Sequence, residues 1–316
     1  MAESLRREEV LPRRALSLQV TNHTGNHYSP GQMVEGGAPL RKLQLLEYKI
    51  LLELKRICEK HHIKYFLMGG TLLGAVRHNG FIPWDDDIDI GMMREEYYKF
   101  ITICRDELSQ DFFLQTYDTD SNYANPYAKL RLNGTVFTET ESKDSNCHNG
   151  IYIDIFPFDH IPDNRFIRKM HLYVLSEIST ICQIMCGYRP DISQLHYSLL
   201  SVLPRIIKKK SMIRIREYFF QRYNKRQTRY LVNGSFYCYP STIFDTFSEL
   251  MFEGINFPVP VGYRNYLECA YGNYMSLPPE NERKTHTPHL PDFGRYGEIC
   301  SLDDLLNQLA PSKKRE

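Results

Sequence analysis

The stretch Met68-Gly-Gly-Thr-Leu-Leu-Gly-Ala-Val-Arg-His-Asn-Gly-Phe-Ile-Pro-Trp-Asp-Asp-Asp-Ile-Asp-Ile-Gly91 decides the reading of this chain. From Phe81 to Ile90, Ile82, Trp84, Ile88 and Ile90 fall on alternate positions, with Asp85, Asp87 and Asp89 between them. Side chains alternate between the two faces of a strand. The spacing therefore predicts a β-strand with one face in a core and the other a row of carboxylates. Asp86 breaks the alternation and is expected at the strand entrance, after Pro83.

Crowded carboxylates need a counter-charge. For an oxygen-only set the usual one is Mg²⁺ or Mn²⁺, held by one or two carboxylates together with substrate phosphates. The first half of the stretch adds a second component. Tyr65–Met68 reads as a short strand, Gly69-Gly70 as a turn, and Thr71 as the N-cap of a helix over Leu72–His78. Backbone N–H groups at such a turn make an anion site. A metal-holding strand beside a phosphate-holding turn suits phosphoryl chemistry.

Two other readings compete. A solvated acidic loop would interleave its acids with Ser and Lys, whereas these interleave with Ile and Trp. A calcium loop matches Asp85, Asp87, Asp89 and a twelfth-position Glu96, but its sixth position is Ile90 where the sharp turn needs Gly.

Outward from this stretch, Leu40–His62 has helical apolar spacing through Leu43, Leu46, Ile50, Leu54 and Ile57. Arg94–Leu108 is expected to be a second helix and Phe112–Tyr117 a strand. Tyr127–Leu132 and Thr135–Thr138 flank Asn133-Gly134, a hairpin signal. Lys129 and Arg131 share a face of the first arm, either as solvated charges or as cations for a diphosphate. In Gly150-Ile-Tyr-Ile-Asp-Ile-Phe156, Asp154 interrupts an apolar strand, which is costly unless the acid is paired or on a metal. Asp159 reads as a turn or helix cap.

The segment Arg205–Arg229 carries ten Lys and Arg against the single acid Glu217, interleaved with Ile, Tyr and Phe. Such a helix is either a solvated outer face or a surface for an anionic membrane. Met251–Phe257 reads as a hairpin, Gly262–Tyr271 as a helix and Leu302–Leu309 as a short closing helix.

The stretch Gly74–Asp89, with Gly69-Gly70, Asp87-Ile88-Asp89 and the later Asp154, resembles the signature of the LicD family. That family includes bacterial phosphocholine transferases and fukutin-related proteins, within the nucleotidyltransferase superfamily. The likeness covers about 40–160 and 240–290 and is absent from the N-terminal arm and the basic helices. It implies an α/β fold with a nucleotidyltransferase-like mixed sheet flanked by helices and a helical insertion. It implies metal on Asp87, Asp89 and Asp154, with Asp85 close by and either Asp85 or Asp154 as base. It implies donor contacts from Gly69, Gly70, Thr71, Arg77, Lys129 and Arg131. Tyr271–Glu280 resembles the family's C-terminal motif, after which Lys284 and His286 either reach nucleotide phosphates or acceptor, or are plain loop residues. The implied donor is a CDP-linked alcohol such as CDP-choline or CDP-ribitol, with CMP released. The implied acceptor is a glycan of capsule, teichoic acid or lipopolysaccharide type. The rivals are nucleotidyl transfer with pyrophosphate released, sugar transfer from a nucleotide-sugar through an Asp-x-Asp motif, and a non-catalytic metal-binding protein.

The expected organisation is a mobile arm over 1–37, a catalytic core over 38–162, a basic helical insertion over 163–239 on the acceptor or membrane side, and a part over 240–316 that completes the core. A net charge of +1 gives no bulk case for nucleic acid. Eight scattered cysteines without a Cys-x-x-Cys pair fit reduced thiols, and no apolar run reaches a membrane span. These point to a cytoplasmic protein, peripheral to the inner membrane face if the basic segment touches lipid.

Overall fold

The computed structural model describes residues 38–283, 285 and 291–309. The arm over 1–37, the tail from Pro311, and Lys284 and His286 lie outside the described residues.

The elements run α1 (Ala38–Lys60), β1 (Phe66–Leu67), α2 (Gly69–His78), β2 (Asp89–Met93), α3 (Arg94–Glu107), β3 (Phe112–Gln115), β4 (Ala128–Leu132) and β5 (Tyr152–Ile161). Then come α4 (Arg165–Met185), α5 (Gln194–Leu200), α6 (Lys209–Gln221), β6 (Tyr230–Asn233) and β7 (Cys238–Pro240). The chain finishes with β8 (Phe247–Phe252), β9 (Ile255–Pro260), α7 (Tyr263–Tyr271) and α8 (Leu302–Leu309). The architecture is mixed α/β. A sheet ordered β1-β2-β5-β4-β3 is extended by β6 and β7, because the long β5 pairs β4 with its first half and β6 with its second. β2 and β5 are parallel and the other pairs are antiparallel.

α1 forms because its apolar spacing puts Leu43, Leu46, Ile50, Leu54 and Ile57 on one stripe, and all are buried. With α3 it packs along the sheet against the apolar row of β5. Ile153 and Ile155 are fully buried there. Burial of each such side chain contributes roughly 1.5–3 kcal/mol.

Arg94 opens α3 and forks onto Asp159 of β5, Nε to Oδ1 at 2.9 Å and Nη2 to Oδ2 at 2.5 Å, and reaches Glu217 of α6 at 3.3 Å. Asp159 is thus no cap. It anchors a buried ion network that ties α6 to the sheet. Within the basic run, only Lys209–Gln221 is regular α-helix, and Arg216 turns inward to donate to the carbonyls of Ala124 and Asn125.

Two strand expectations fail. Residues 81–88 are irregular and the strand begins at Asp89. Here the backbone groups go elsewhere: the Asp85 N–H turns back to the Ile82 carbonyl, Gln44 donates to the carbonyls of Ile82 and Asp85, and the Ile88 carbonyl reaches β5 at the Asp154 N–H. Asn133-Gly134 does turn, with Gly134 at φ +78°, but Thr135–Thr138 form no second arm. β4 is already flanked by β3 and β5, so Val136 bridges Asp292 instead. The Met251–Phe257 hairpin is present and longer, as β8 and β9.

Candidate active site

In the register of the sheet, Asp89 of β2 stands opposite Asp154 of β5, and Asp154 stands opposite Lys129 of β4. Directly paired residues project to the same face. One row across three strands therefore reads Asp89, Asp154, Lys129. The Lys129 ammonium donates to Asp154 Oδ1 at 2.7 Å and to Glu139 Oε1 at 3.1 Å, over the Tyr152 ring at 3.4 Å.

This overturns the solvated-charge reading of Lys129 and Arg131, since both are almost wholly enclosed. Arg131 is spent internally, on Gln115 Oε1 at 2.5 Å, the Gly150 carbonyl at 2.6 Å and Glu139. Lys129 is the cation next to the acids, and Arg131 supports it through Glu139. Burial pushes Glu139 up, but Lys129 and Arg131 outweigh it and hold it below the usual range. Asp154 goes the other way. Burial, then Glu139 and Asp87, outweigh Lys129 and raise it to about 6.

The glycine turn closes onto the carboxylates. α2 begins at Gly69, with Met68 before it, so Thr71 is not its N-cap. The Thr71 hydroxyl instead accepts the Asp89 N–H at 2.9 Å, pinning the turn to β2. Gly69 sits at φ +57°, and a Cβ there would lie 2.3 Å from Asp89 Oδ2. A Cβ on Gly70 would lie 2.4 Å from Asp85 Oδ2. Only glycine permits both the backbone and the approach.

The irregular loop Phe81–Ile88 is held from outside. Gln44 of α1 donates to the carbonyls of Ile82 and Asp85. Glu253, at the β8–β9 turn, takes the Phe81 N–H and pairs with Arg41 at 2.6 Å. Asp85 and Asp86 are buried, and Asp87 and Asp89 are half-buried. The calcium-loop alternative fails, because Glu96 turns to the Lys64 N–H and Lys99.

Three residues near the acids escaped sequence reasoning. Glu47 of α1 is 1% exposed, and its Oε2 has no hydrogen-bond partner among the described residues. Burial, then the fields of Asp86, Asp87, Asp85 and Asp154, push its pKa well above the carboxylate range. Tyr266 of α7 is buried and its hydroxyl accepts the Gly69 N–H at 3.0 Å. Arg283 follows the C-terminal motif and lies over Trp84, 4.9 Å from the ring centroid. Glu47 carried a weak signal, an acid on the apolar side of a helix. The other two depend on contacts across some 200 residues.

The described residues hold no set of three His, Cys, Asp or Glu already spaced as a metal cage. The donor set nevertheless fits a hard cation completed by substrate. It is oxygen-only, Asp89 and Asp154 sit side by side in register, and the field of Asp87 adds to the burial that raises Asp154.

A sequence model described as "LicD/FKTN/FKRP, nucleotidyltransferase domain" matches residues 62–177. The lipopolysaccharide cholinephosphotransferase LicD of Haemophilus influenzae is 32% identical over 259 residues, 78% of this chain and 95% of that protein. The chain belongs to the LicD family. It is accordingly a phosphotransferase. The human and mouse ribitol 5-phosphate transferases FKRP are each 48% identical over 40 residues, 13% of this chain and 8% of theirs. The whole row Asp89–Asp154–Lys129 lies within the span matched by the family model.

Proposed function

We propose that this LicD-family chain transfers a phosphoalcohol of the phosphocholine class from a CDP-linked donor to a hydroxyl of a cell-surface glycan, releasing CMP. The observation that carries the reading is the near full-length match to a lipopolysaccharide cholinephosphotransferase, with carboxylates, glycine turn and lysine brought to one place. The FKRP match favours a second reading, phosphoribitol as the transferred group.

In this reading the glycine turn, whose Gly69 N–H is held by Tyr266, meets the donor diphosphate through the Gly70 backbone, with the Lys129 ammonium as the cation beside it. Asp87, Asp89 and Asp154 would hold Mg²⁺ or Mn²⁺, which when bound neutralises charge on phosphate oxygens. The acceptor oxygen attacks the phosphorus that bears the alcohol. Its proton passes to a carboxylate, Asp85 or Asp154. The bond from that phosphorus to the bridging oxygen breaks, and the electron pair leaves with CMP. The fold accompanying this chemistry is the nucleotidyltransferase type named for the matching domain.

The helical segment between β5 and β6 is the acceptor side in this reading. It exposes Phe166, Leu195, Leu199 and Ile206 together with Arg205, Lys208 and Lys210. Apolar and basic groups together suit the anionic inner face of a membrane, from which a lipid-linked glycan would be presented. No helix among the described residues is long and apolar enough to cross a membrane.

Product analysis tests the function. Incubation with CDP-choline, CDP-ribitol or CDP-glycerol and a lipopolysaccharide acceptor should yield CMP and modified glycan. Pyrophosphate released from CTP would establish nucleotidyl transfer instead, and a nucleoside diphosphate from a nucleotide-sugar would establish sugar transfer.

A further inference from the structure

Trp84 is the only tryptophan of the chain and immediately precedes Asp85. Its half-buried ring is flanked by two guanidinium groups, Arg77 with Cζ 6.0 Å from the centroid and Arg283 at 4.9 Å. They come from opposite ends of the molecule's sequence. Arg77 lies in the last turn of α2, and Arg283 follows the Pro278–Glu282 loop.

Both cations are anchored through backbone carbonyls. Arg77 Nη1 donates to the Tyr274 carbonyl at 3.1 Å and Arg283 Nε to that of Pro278 at 3.1 Å. Carbonyls fix the direction of a guanidinium without neutralising its charge, and an aromatic face restrains its plane. Arg77 is lowered first by burial, with Arg283 adding to the effect and Asp85 opposing it. Two guanidinium groups thus share the ring of the residue that precedes Asp85, and each keeps N–H donors beyond the one held by its carbonyl.

We propose that Arg77 and Arg283, stacked on Trp84, clamp the nucleotide-side phosphate of the donor diphosphate, the one that departs as CMP. The inference rests on the CDP-donor reading above. The carboxylate row repels phosphate unless a cation intervenes, so it suits the reacting phosphate. The neighbouring phosphate meets the guanidinium pair, which offers planar forks to its oxygens. When the bridging P–O bond breaks, the electron pair goes to the bridging oxygen and the phosphate of CMP leaves with one more negative charge than it bore within the diphosphate. A clamp on that oxygen's phosphate therefore acts more strongly in the transition state than on bound donor.

The lone tryptophan provides the readout. The full chain with Mg²⁺ is titrated with CMP, cytidine and CDP-choline, followed by Trp84 emission and by calorimetry, for wild type, Arg283→Gln and Arg283→Lys. Arg283 is half-buried on a loop, so its replacement leaves the core packing alone. The clamp predicts a saturable emission change with CMP, roughly 10-fold or more weaker CMP and donor binding in Arg283→Gln, and partial recovery in Arg283→Lys. Cytidine binding should be the same in all three. It also predicts a fall in kcat beyond the rise in donor KM. Wild-type affinity for CMP in Arg283→Gln, or a rise in acceptor KM alone, overturns the clamp while leaving the donor reading intact. A wild type that binds neither CMP nor any CDP-alcohol sinks the donor reading and the clamp with it.

Discussion

Asp89 and Asp154 are register partners on adjacent parallel strands, and on its far side Asp154 pairs with Lys129. Two acids and one buried ammonium thus share a row, so a charge change at any one of the three is felt by the other two, which makes the site's electrostatics testable.

Lys129 carries the first prediction. It is enclosed and joins Asp154 to Glu139, which also holds Arg131. Lys129→Met should cost about 3 kcal/mol in urea unfolding, because it leaves Asp154 and Glu139 buried without the cation they share. The double variant Lys129→Met/Glu139→Leu should cost less than the sum of the two single changes. Additive losses would show that the network is not coupled.

The pH dependence of stability follows from Asp154 and Glu47. Both are raised above the usual carboxylate range, so in metal-free protein the folded state binds more protons than the unfolded state from about pH 4 upward. Stability therefore falls as pH rises through about 6 and is regained on mild acidification, by on the order of 1–3 kcal/mol. Glu47→Gln keeps the shape and removes one titrating group, so it should flatten that profile with little loss of stability at neutral pH. A profile identical to wild type would refute the protonated buried acid.

A Cβ on Gly70 would meet the Asp85 carboxylate, which must shift to admit it. Gly70→Ala should push the two apart and raise the donor Kd by roughly 10-fold, with a modest stability loss of about 1 kcal/mol. Calorimetry against a CDP-alcohol is the check, and unchanged affinity would remove the turn from the donor site.

Association with lipid is the fourth expectation. Arg205, Lys208 and Lys210 are exposed, whereas Lys209 donates to the Ser121 carbonyl and Arg216 is buried. Neutralising the three exposed cations should weaken flotation with anionic vesicles several-fold, as should Leu195→Ser/Leu199→Ser. If the wild type does not float, the membrane side of the reading is lost.

Much of this fold was legible because it is written in local periodicity. The helices α1 and α3, the strand around Asp154 and the β8–β9 hairpin follow from spacing alone. The misreadings come from partners distant in the chain. Thr135–Thr138 find β4 already flanked by β3 and β5, and Phe81–Ile88 give their backbone groups to Gln44, Glu253 and a local turn. Thr71 looked like a cap because its hydroxyl precedes a helix, yet Asp89, eighteen residues on, offers it a better donor. For Lys129 and Arg131 the spacing left solvated charge and diphosphate cation open, because lysine and arginine are usually exposed. Their burial depends on Glu139, which arrives from the following loop. Glu47, Tyr266 and Arg283 enter the site only through tertiary packing, so no motif announced them.

The most direct measurement is calorimetric binding of CDP-choline, CDP-ribitol, CDP-glycerol, CTP and UDP-glucose, with and without Mg²⁺ or Mn²⁺, to wild type and Asp87→Asn. The account predicts that one CDP-alcohol binds only with the metal, and that Asp87→Asn loses this binding while unfolding at or above the wild-type temperature, since a repelling charge has gone. Metal-independent binding, or a variant that binds and turns over like wild type, would contradict it.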